Sequence, residues 1–526
     1  MKMKKVLACL FVIILTTGMF VGCSTEELAL YKLSNDLTTL MYTKPVQSEG
    51  KIDLQLDVLP EAVTEYAGEE EAILTKTLEF VKANSLTYII KSDVANKKIE
   101  ANFNFVNEKT SAKIPLMTVL RNQDITYVKV DDYINFIKQN ITNGTDTENK
   151  EVNAEIDKLF GDLQYLSVSE DEIIQFFNQM ITSSMGTDET VAAEMGSMYE
   201  QLIKESLDPA YALEKQKLNN QIVEQLLQKA YKEYSLDIVK QEGNKYSVTL
   251  DATNLGKTVF GFADYSLEHT EDIGNTIKEF LNNLTVEQYS MLVGAYAIDN
   301  INKEMVAKSI DDLILDVKDN KIKYKSAIQQ GLLMYDGMIK QYIDGSVVQM
   351  TKGKESDGTY TSDFKARIKI SDPLTQLTEF DATLIINETV KEIAPFTVQV
   401  PTTNVTTFTE YLKLIPKVLS VDITSETYDM INLENAMMGF SEEIEVIMID
   451  DYSYLPLRKV VEMFGEKIEW DNINKVAYIV RGDVKIKVDN VIVKNSTSYI
   501  KTREFEKLGY TVGWDGVTKT INITKK

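Results

Sequence analysis

The feature that most constrains this chain is a short unit written twice between Tyr452 and Lys526. The first copy reads Ser453-Tyr454-Leu455-Pro456-Leu457-Arg458, then Phe464-Gly465, Ile468-Glu469-Trp470-Asp471 and Lys475-Val476. The second reads Ser498-Tyr499-Ile500-Lys501-Thr502-Arg503, then Leu508-Gly509, Val512-Gly513-Trp514-Asp515 and Lys519-Thr520. The offset is 45 from Tyr454 to Tyr499 but 44 from Trp470 to Trp514, so one residue is missing between Arg and Gly in the second copy. Self-similarity at this period specifies two copies of one supersecondary unit. Neither copy is large enough to bury a core alone, so the two are expected to pack together.

The remaining sequence has room for further domains. At 526 residues, with 44% hydrophobic and 26% charged side chains, the composition is that of a globular protein. The net charge of −24 is uneven: residues 451–526 hold 14 Lys or Arg against 10 Asp or Glu, so the first 450 residues carry −28. Such a body repels nucleic acid, which is therefore not expected as a partner. The two cysteines, Cys9 and Cys23, lie at the far N-terminus, and His269 is the single histidine. A disulfide, a thiol nucleophile, a thiolate metal site or a multi-imidazole site is thus not expected in the folded part. No cofactor is expected either.

Met1-Lys2-Met3-Lys4-Lys5 forms a positive stretch, followed by the apolar Val6–Phe20 and then Val21-Gly22-Cys23. This is the layout of a secretory signal, too short for an ordinary membrane span. Phe20-Val21-Gly22-Cys23 resembles the lipobox of bacterial lipoproteins. The resemblance implies cleavage after residue 22, diacylation of Cys23, and a chain anchored at the cell membrane facing the extracytoplasmic side. Phe20 departs from the usual leucine. Two acyl chains hold stably where one is marginal.

Residues 23–50 read as an anchor and linker helix, with Leu28, Leu30, Leu33, Leu37 and Leu40 at near-helical spacing. Residues 51–415 read as an acidic α+β body, as one domain or two subdomains. Ile52–Leu59, Leu86–Ile90, Ile99–Phe105, Lys113–Leu120 and Ile125–Val130 alternate or are β-rich, which predicts an antiparallel sheet with one wet face. Glu69–Val81 reads as a helix. The period turns helical over 151–235, with a capping box at Ser169 and Glu172 and a long apolar stripe from Leu213 to Ala230. Met180, Met185, Met195 and Met198 read as core filling rather than a soft-metal site. Tyr246–Leu250 returns to strand; Glu271–Leu281 and Val286–Ile298 read as helices, the second opening with a capping box at Thr285 and Gln288. From Ser309 to Val400 strand signals dominate, including a hairpin at Asp357-Gly358 and a last strand at Phe396–Val400; Thr406–Ile415 reads as a linker helix. The expected fold class is α+β: antiparallel sheets with a helical layer, plus a small C-terminal α+β domain of two strand-helix-hairpin units.

In the first terminal unit Pro456 marks where a strand turns into a helix; the second has no proline at the equivalent Lys501, so its helix start is left open. Gly465 and Gly509 stop the helices, and the Trp-Asp segments open hairpins. The pattern Leu455-Pro456-Leu457-Arg458, Phe464-Gly465, Trp470-Asp471, with Arg503, Leu508-Gly509, Trp514-Asp515 and Lys519-Thr520, resembles the copper amine oxidase N-terminal-like domain, also called the stalk domain, common in secreted proteins of spore-forming Gram-positive bacteria. The resemblance covers about 75 to 85 residues, and the domain it implies is placed at 430–526, with repeats at about 452–489 and 497–526. Lys501-Thr502 stands where the family has Pro-Leu. The oxidase chemistry needs histidine copper ligands, which one histidine cannot supply. The resemblance therefore implies a structural or binding role and no enzyme activity.

Arg458, Trp470, Asp471, Arg503, Trp514 and Asp515 are the residue types for a binding face. The plainer reading puts the tryptophans in the core, the arginines on nearby acids and the aspartates on turns. Arg481-Gly482-Asp483 reads as turn chemistry. The functional expectation is a non-catalytic structural or binding role in the cell envelope, the stalk-type domain contacting wall polymer or an envelope protein. The alternative is a lipid, peptide or cation carrier or sensor that uses the acidic body.

Overall fold

A computed structural model describes residues 24–58, 71–140, 163–184, 207–293, 302–375, 377–414, 418–424, 427–431, 441–450, 452–471, 473–474, 476–481, 484–516 and 519–525, with scattered positions between 150 and 206. The signal sequence, Cys23, Gly482, Asp483 and the side chains of the methionines between 180 and 198 lie outside it. The fold is α+β, in two compact units: residues up to Val405 and from Thr406 onward.

The first unit opens with helix α1 (Thr25–Thr43), whose Ser24 and Glu27 form a capping box. Strand β1 (Val46–Val58), helix α2 (Glu71–Ala83) and strands β2 (Asn84–Asp93), β3 (Lys98–Asn107), β4 (Lys113–Asn122) and β5 (Ile125–Lys129) follow. Helix α3 (Asp131–Asn140) and strand β6 (Tyr165–Ser169) precede helix α4 (Glu170–Ser184), whose N-terminus carries the expected Ser169–Glu172 capping box. Helix α5 (Pro209–Lys229), strands β7 (Val239–Glu242) and β8 (Lys245–Asp251), and helices α6 (Ala252–Glu268), α7 (Thr270–Asn283), α8 (Val286–Val293) and α9 (Lys303–Met334) come next. Strands β9 (Val347–Lys354), β10 (Tyr360–Ser371), β11 (Thr378–Glu392) and the short β12 (Val405–Thr407) complete the sheet.

All twelve strands belong to one sheet in the order β12-β6-β5-β4-β3-β2-β1-β11-β10-β9-β8-β7. Every pairing whose register is defined is antiparallel, so residues directly opposite share a face. On β1 one face carries Val46, Ile52, Leu54 and Leu56, and the other Lys51, Asp53, Gln55 and Asp57. That alternation is the sequence pattern of a sheet with one apolar and one wet face.

Helices cover part of the apolar face. Leu33, Leu37, Leu40 and Met41 of α1 pack on Val46, Tyr360 and Val390, while Leu30 packs with Ile238, Val248 and Leu250. Phe80 of α2 and Phe136 of α3 meet Phe105 at ring distances of 4.9 and 5.3 Å. A second core joins α5, α6, α7 and α9 through Leu218, Leu226, Phe262, Ile277, Phe280 and Ile310.

Three expectations are corrected. The segment 23–50 is not a linker: α1 is a packed element of the body, and β1 begins at Val46 inside the sheet. Residues 309–334 are helical rather than strand, because Val306, Ile310 and Ile314 recur every fourth residue and pack against α7 over Gly274, where a Cβ would sit within 2.9 Å of Ile310 and Ile314. Tertiary packing overrides the β-propensity of those branched side chains. Phe396–Val400 is extended without strand pairing, although Val398 is buried.

The second unit contains helix α10 (Phe408–Leu414), strands β13 (Val418–Asp422), β14 (Thr427–Ile431), β15 (Ser441–Glu443), β16 (Ile447–Ile449) and β17 (Tyr452–Pro456), and helix α11 (Leu457–Met463). Strands β18 (Lys467–Asp471), β19 (Val476–Arg481), β20 (Val484–Val488), β21 (Ile492–Lys494) and β22 (Thr497–Lys501) follow, then a 3₁₀ helix (Thr502–Leu508) and strands β23 (Tyr510–Asp515) and β24 (Thr520–Lys525). The first strands of the two repeats pair antiparallel, and the equivalent residues Leu455 and Ile500 face each other, both fully buried. A pseudo-twofold axis therefore passes between them. The core draws on both copies and on Leu419, Val421, Ile444 and Val446 from upstream, so the folded unit is larger than the repeat itself.

The missing residue has a local explanation. Arg458 to Gly465 spans an α-helix, whereas Arg503 to Gly509 spans a 3₁₀ helix. Two α turns take about seven residues and two 3₁₀ turns about six, so the tighter winding absorbs the deletion. Both stops hold, with φ of +74° at Gly465 and +89° at Gly509, the left-handed region that glycine enters at least cost.

Candidate functional site

The apolar sheet face of the first unit is crossed by one row of a different chemistry. Reading across the register, Tyr88 on β2 stands beside Gly50 on β1, then Glu388 on β11, Ser362 on β10 and Lys352 on β9. Tyr88 reaches across β1: a Cβ at Gly50 would lie 2.2 Å from its ring, and its hydroxyl donates to Glu388 Oε1 at 3.0 Å. Burial first, and then the Glu388 charge, hold the Tyr88 phenol well above its usual range. At the other end Lys352 Nζ donates to Ser34 Oγ of α1 at 3.3 Å. Burial pushes the Lys352 ammonium down, and Glu388 opposes that shift. Neither Glu388 nor Lys352 forms a salt bridge with any described residue.

Beyond this row the face is apolar. The next rows read Ile52-Ile386-Phe364-Met350 and Leu54-Leu384-Ala366-Val348, followed by Leu56-Ala382-Ile368. Leu54 and Val348 are 38% exposed and Ile368 is 51% exposed, on the face that a sheet of this alternation normally buries. On the wet face, a recess of about 320 Å³ is lined by Glu242, Lys245, Ser247, Thr249, Gln349 and Thr351 among others; it offers hydroxyls, one amide, one carboxylate and one ammonium.

The six residues singled out in the repeats stand on four elements: Arg458 on α11, Trp470 and Asp471 on β18, Arg503 on the 3₁₀ helix, and Trp514 and Asp515 on β23. Arg458 is exposed and pairs with Glu462 at 3.2 Å. Arg503 donates to Glu506 at 2.7 Å and to the Val512 carbonyl at 2.9 Å, tying its helix to β23. Asp471 Oδ1 accepts the backbone N–H groups of Ile473 and Asn474, which hold its carboxyl below the usual range. Trp470 on β18 packs against the core. Trp514 on β23 is 49% exposed, so the two tryptophans are not both core residues. Asp515 lies opposite Thr520 in the β23–β24 hairpin.

What the repeats do assemble is a buried charge cluster. Glu466 follows the first glycine stop and Tyr510 follows the second; Tyr510 donates its hydroxyl to Glu466. Arg481 and Lys525, also equivalent positions, both pair with Glu466, Lys525 at 3.1 Å. Each base also reaches the helix end of the other copy: Arg481 to the Leu508 carbonyl at 2.7 Å, Lys525 to the Phe464 carbonyl at 3.4 Å. Burial works to raise the Glu466 carboxyl, but the bonds from Arg481, Tyr510 and Lys525 outweigh it and leave it lowered. The signal in the sequence was the offset of 44 from Arg481 to Lys525, which places a base at the same point of both copies. The cluster therefore cross-links the two copies.

Among the described residues no group of three His, Cys, Asp or Glu side chains could hold a metal ion, and no helix is long and apolar enough to cross a membrane. The first unit thus defines a class by its geometry: an antiparallel sheet with a half-covered apolar face and one ionisable row. Compared with protein-family models, curated proteins and solved structures, the chain matches none.

Proposed function

We propose that this is a lipid-anchored, non-catalytic binding protein of the cell envelope whose first unit takes up an apolar ligand on its sheet face. The carrying observation is the half-open apolar surface of Leu54, Val348 and Ile368 on the face where helix α1 buries Val46, Tyr360 and Val390. Burying such a surface contributes about 25 cal/mol per Å² of apolar area, which favours an apolar guest over water. The binding reading is tested on the purified chain without its signal by titrating an environment-sensitive apolar fluorophore. Wild type is expected to bind it and Ile368→Asp or Leu54→Asp to bind about tenfold more weakly. Absence of any binding by wild type removes the proposal. The anchor is tested separately: Cys23→Ser should release the protein into the medium, and retention in the membrane fraction would count against lipidation.

A second reading concerns the terminal unit, which resembles the stalk domain in its motif. Half-exposed Trp514 and the net positive charge of 451–526 support contact with an anionic wall polymer. Purified cell walls should retain the intact chain less well after Trp514→Ala and at raised salt. Equal retention of both proteins argues against that contact.

A further inference from the structure

The ionisable row sits at the closed end of the apolar face, next to α1, and its two charges are kept apart. Glu388 and Lys352 are separated by one strand, so their backbones lie about 9.5 Å apart at the usual strand spacing. The residue between them is Ser362, too small to fill the interval. A lysine held half-buried without a salt bridge is destabilising unless something completes it, and here a weak 3.3 Å bond to Ser34 is its only hydrogen bond among the described residues. Glu388 has one oxygen engaged by Tyr88. From this row to the row of Leu56 and Ile368 the strands run six residues, about 20 Å of apolar surface.

We propose, resting on the apolar-ligand reading above, that the ligand is a single long-chain amphiphile with a zwitterionic head group, its anionic group on Lys352, its cationic group on Glu388 and its chain along the rows toward Leu56 and Ile368. The charge pattern of the row fixes this choice. A purely anionic head would be drawn to Lys352 but repelled by Glu388, and a purely cationic one the reverse. An uncharged head would leave both charges without an ionic partner. A head that carries both signs completes both, and its two groups span the interval that Ser362 leaves open. Ser34 places α1 as the roof over the Lys352 end.

The test uses the purified chain without its signal and three amphiphiles of equal chain length: a lysophosphatidylethanolamine, a lysophosphatidylglycerol and a monoacylglycerol. Displacement of the bound fluorophore gives the three affinities. The zwitterionic lipid is expected to bind about tenfold or more tightly than either other lipid, the scale of one or two charge-assisted hydrogen bonds. Lys352→Met and Glu388→Gln should each remove that preference. Ser362→Leu keeps both charges and fills the interval, so it should remove the preference too, which guards against a misfolded charge variant. Equal binding of all three lipids by wild type, or preference for the anionic one, overturns the head-group assignment and leaves the apolar-ligand reading standing. Failure of wild type to bind any of them overturns both.

Discussion

Tyr88 hydrogen-bonds Glu388 across an intervening strand at 3.0 Å, and Gly50 is what lets it do so. The tyrosine stands on β2, the glutamate on β11, and β1 runs between them with no side chain at the crossing point. Gly50→Ala should push the ring aside and lose the bond, a cost of about 1–3 kcal/mol from steric shift and an unsatisfied polar group. Tyr88→Phe loses the same bond without the clash. A double-mutant cycle by urea unfolding should therefore be non-additive, because both variants act on one interaction. Additive effects would show that Gly50 and Tyr88 are independent.

Glu466 gives the second unit an acid-sensitive link. Its folded-state carboxyl lies below the ordinary value of 4.5, so the stabilisation is present above about pH 4.5 and is lost as pH falls through the lowered folded-state pKa. Glu466→Gln removes the charge while the partly solvated Arg481 and Lys525 remain, which should cost about 1–3 kcal/mol near neutral pH. Both tryptophans belong to this unit, so tryptophan fluorescence follows its unfolding selectively. The variant's midpoint should lose the wild-type dependence on pH in the acid range; an unchanged acid slope would mean another carboxyl carries it.

Glu27 ties α1 to the body. It is 1% exposed, closes the capping box with Ser24, and accepts the Leu236 backbone N–H at 2.8 Å. Glu27→Ala should destabilise α1 by about 1–3 kcal/mol by removing the cap and leaving a buried N–H unpaired. Hydrogen exchange should then rise over Thr25–Thr43 and at Leu236. Protection that stays at the wild-type level would place the attachment in the leucine contacts alone.

The tryptophans should be spectroscopically distinct. Trp514 alone, in a Trp470→Phe variant, should emit to the red and be quenched readily by acrylamide, since half its surface is open. Trp470 alone, in Trp514→Phe, should emit further to the blue because it packs on the core. Identical spectra would contradict the placement of both.

The repeats show how much can be read from a chain of this kind. The glycine stops and the Trp-Asp turns marked helix end and hairpin in each copy, and Pro456 marked the strand-helix junction in the first, because those residues act through local backbone preferences. The antiparallel hairpins of the body were readable for the same reason, through alternation at Ile52–Leu56 and Ile99–Phe105. In helix α9 the branched residues carry strand propensity, while the helical spacing of Val306, Ile310 and Ile314 and their packing over Gly274 decide in favour of helix. The six polar and aromatic residues of the repeats have the composition of a binding face and stand on four separate elements. The cluster that does form, Glu466 with Arg481, Tyr510 and Lys525, joins positions up to 59 residues apart.

By itself, then, the sequence determined the local elements, the α+β class and the duplicated unit, since each follows from interactions within a few residues. The tertiary structure decided which apolar face stays half open, and which charges meet or are held apart. Those outcomes depend on strand order and register: Tyr88, Glu388 and Lys352 are neighbours only because β1, β11, β10 and β9 lie side by side in that order.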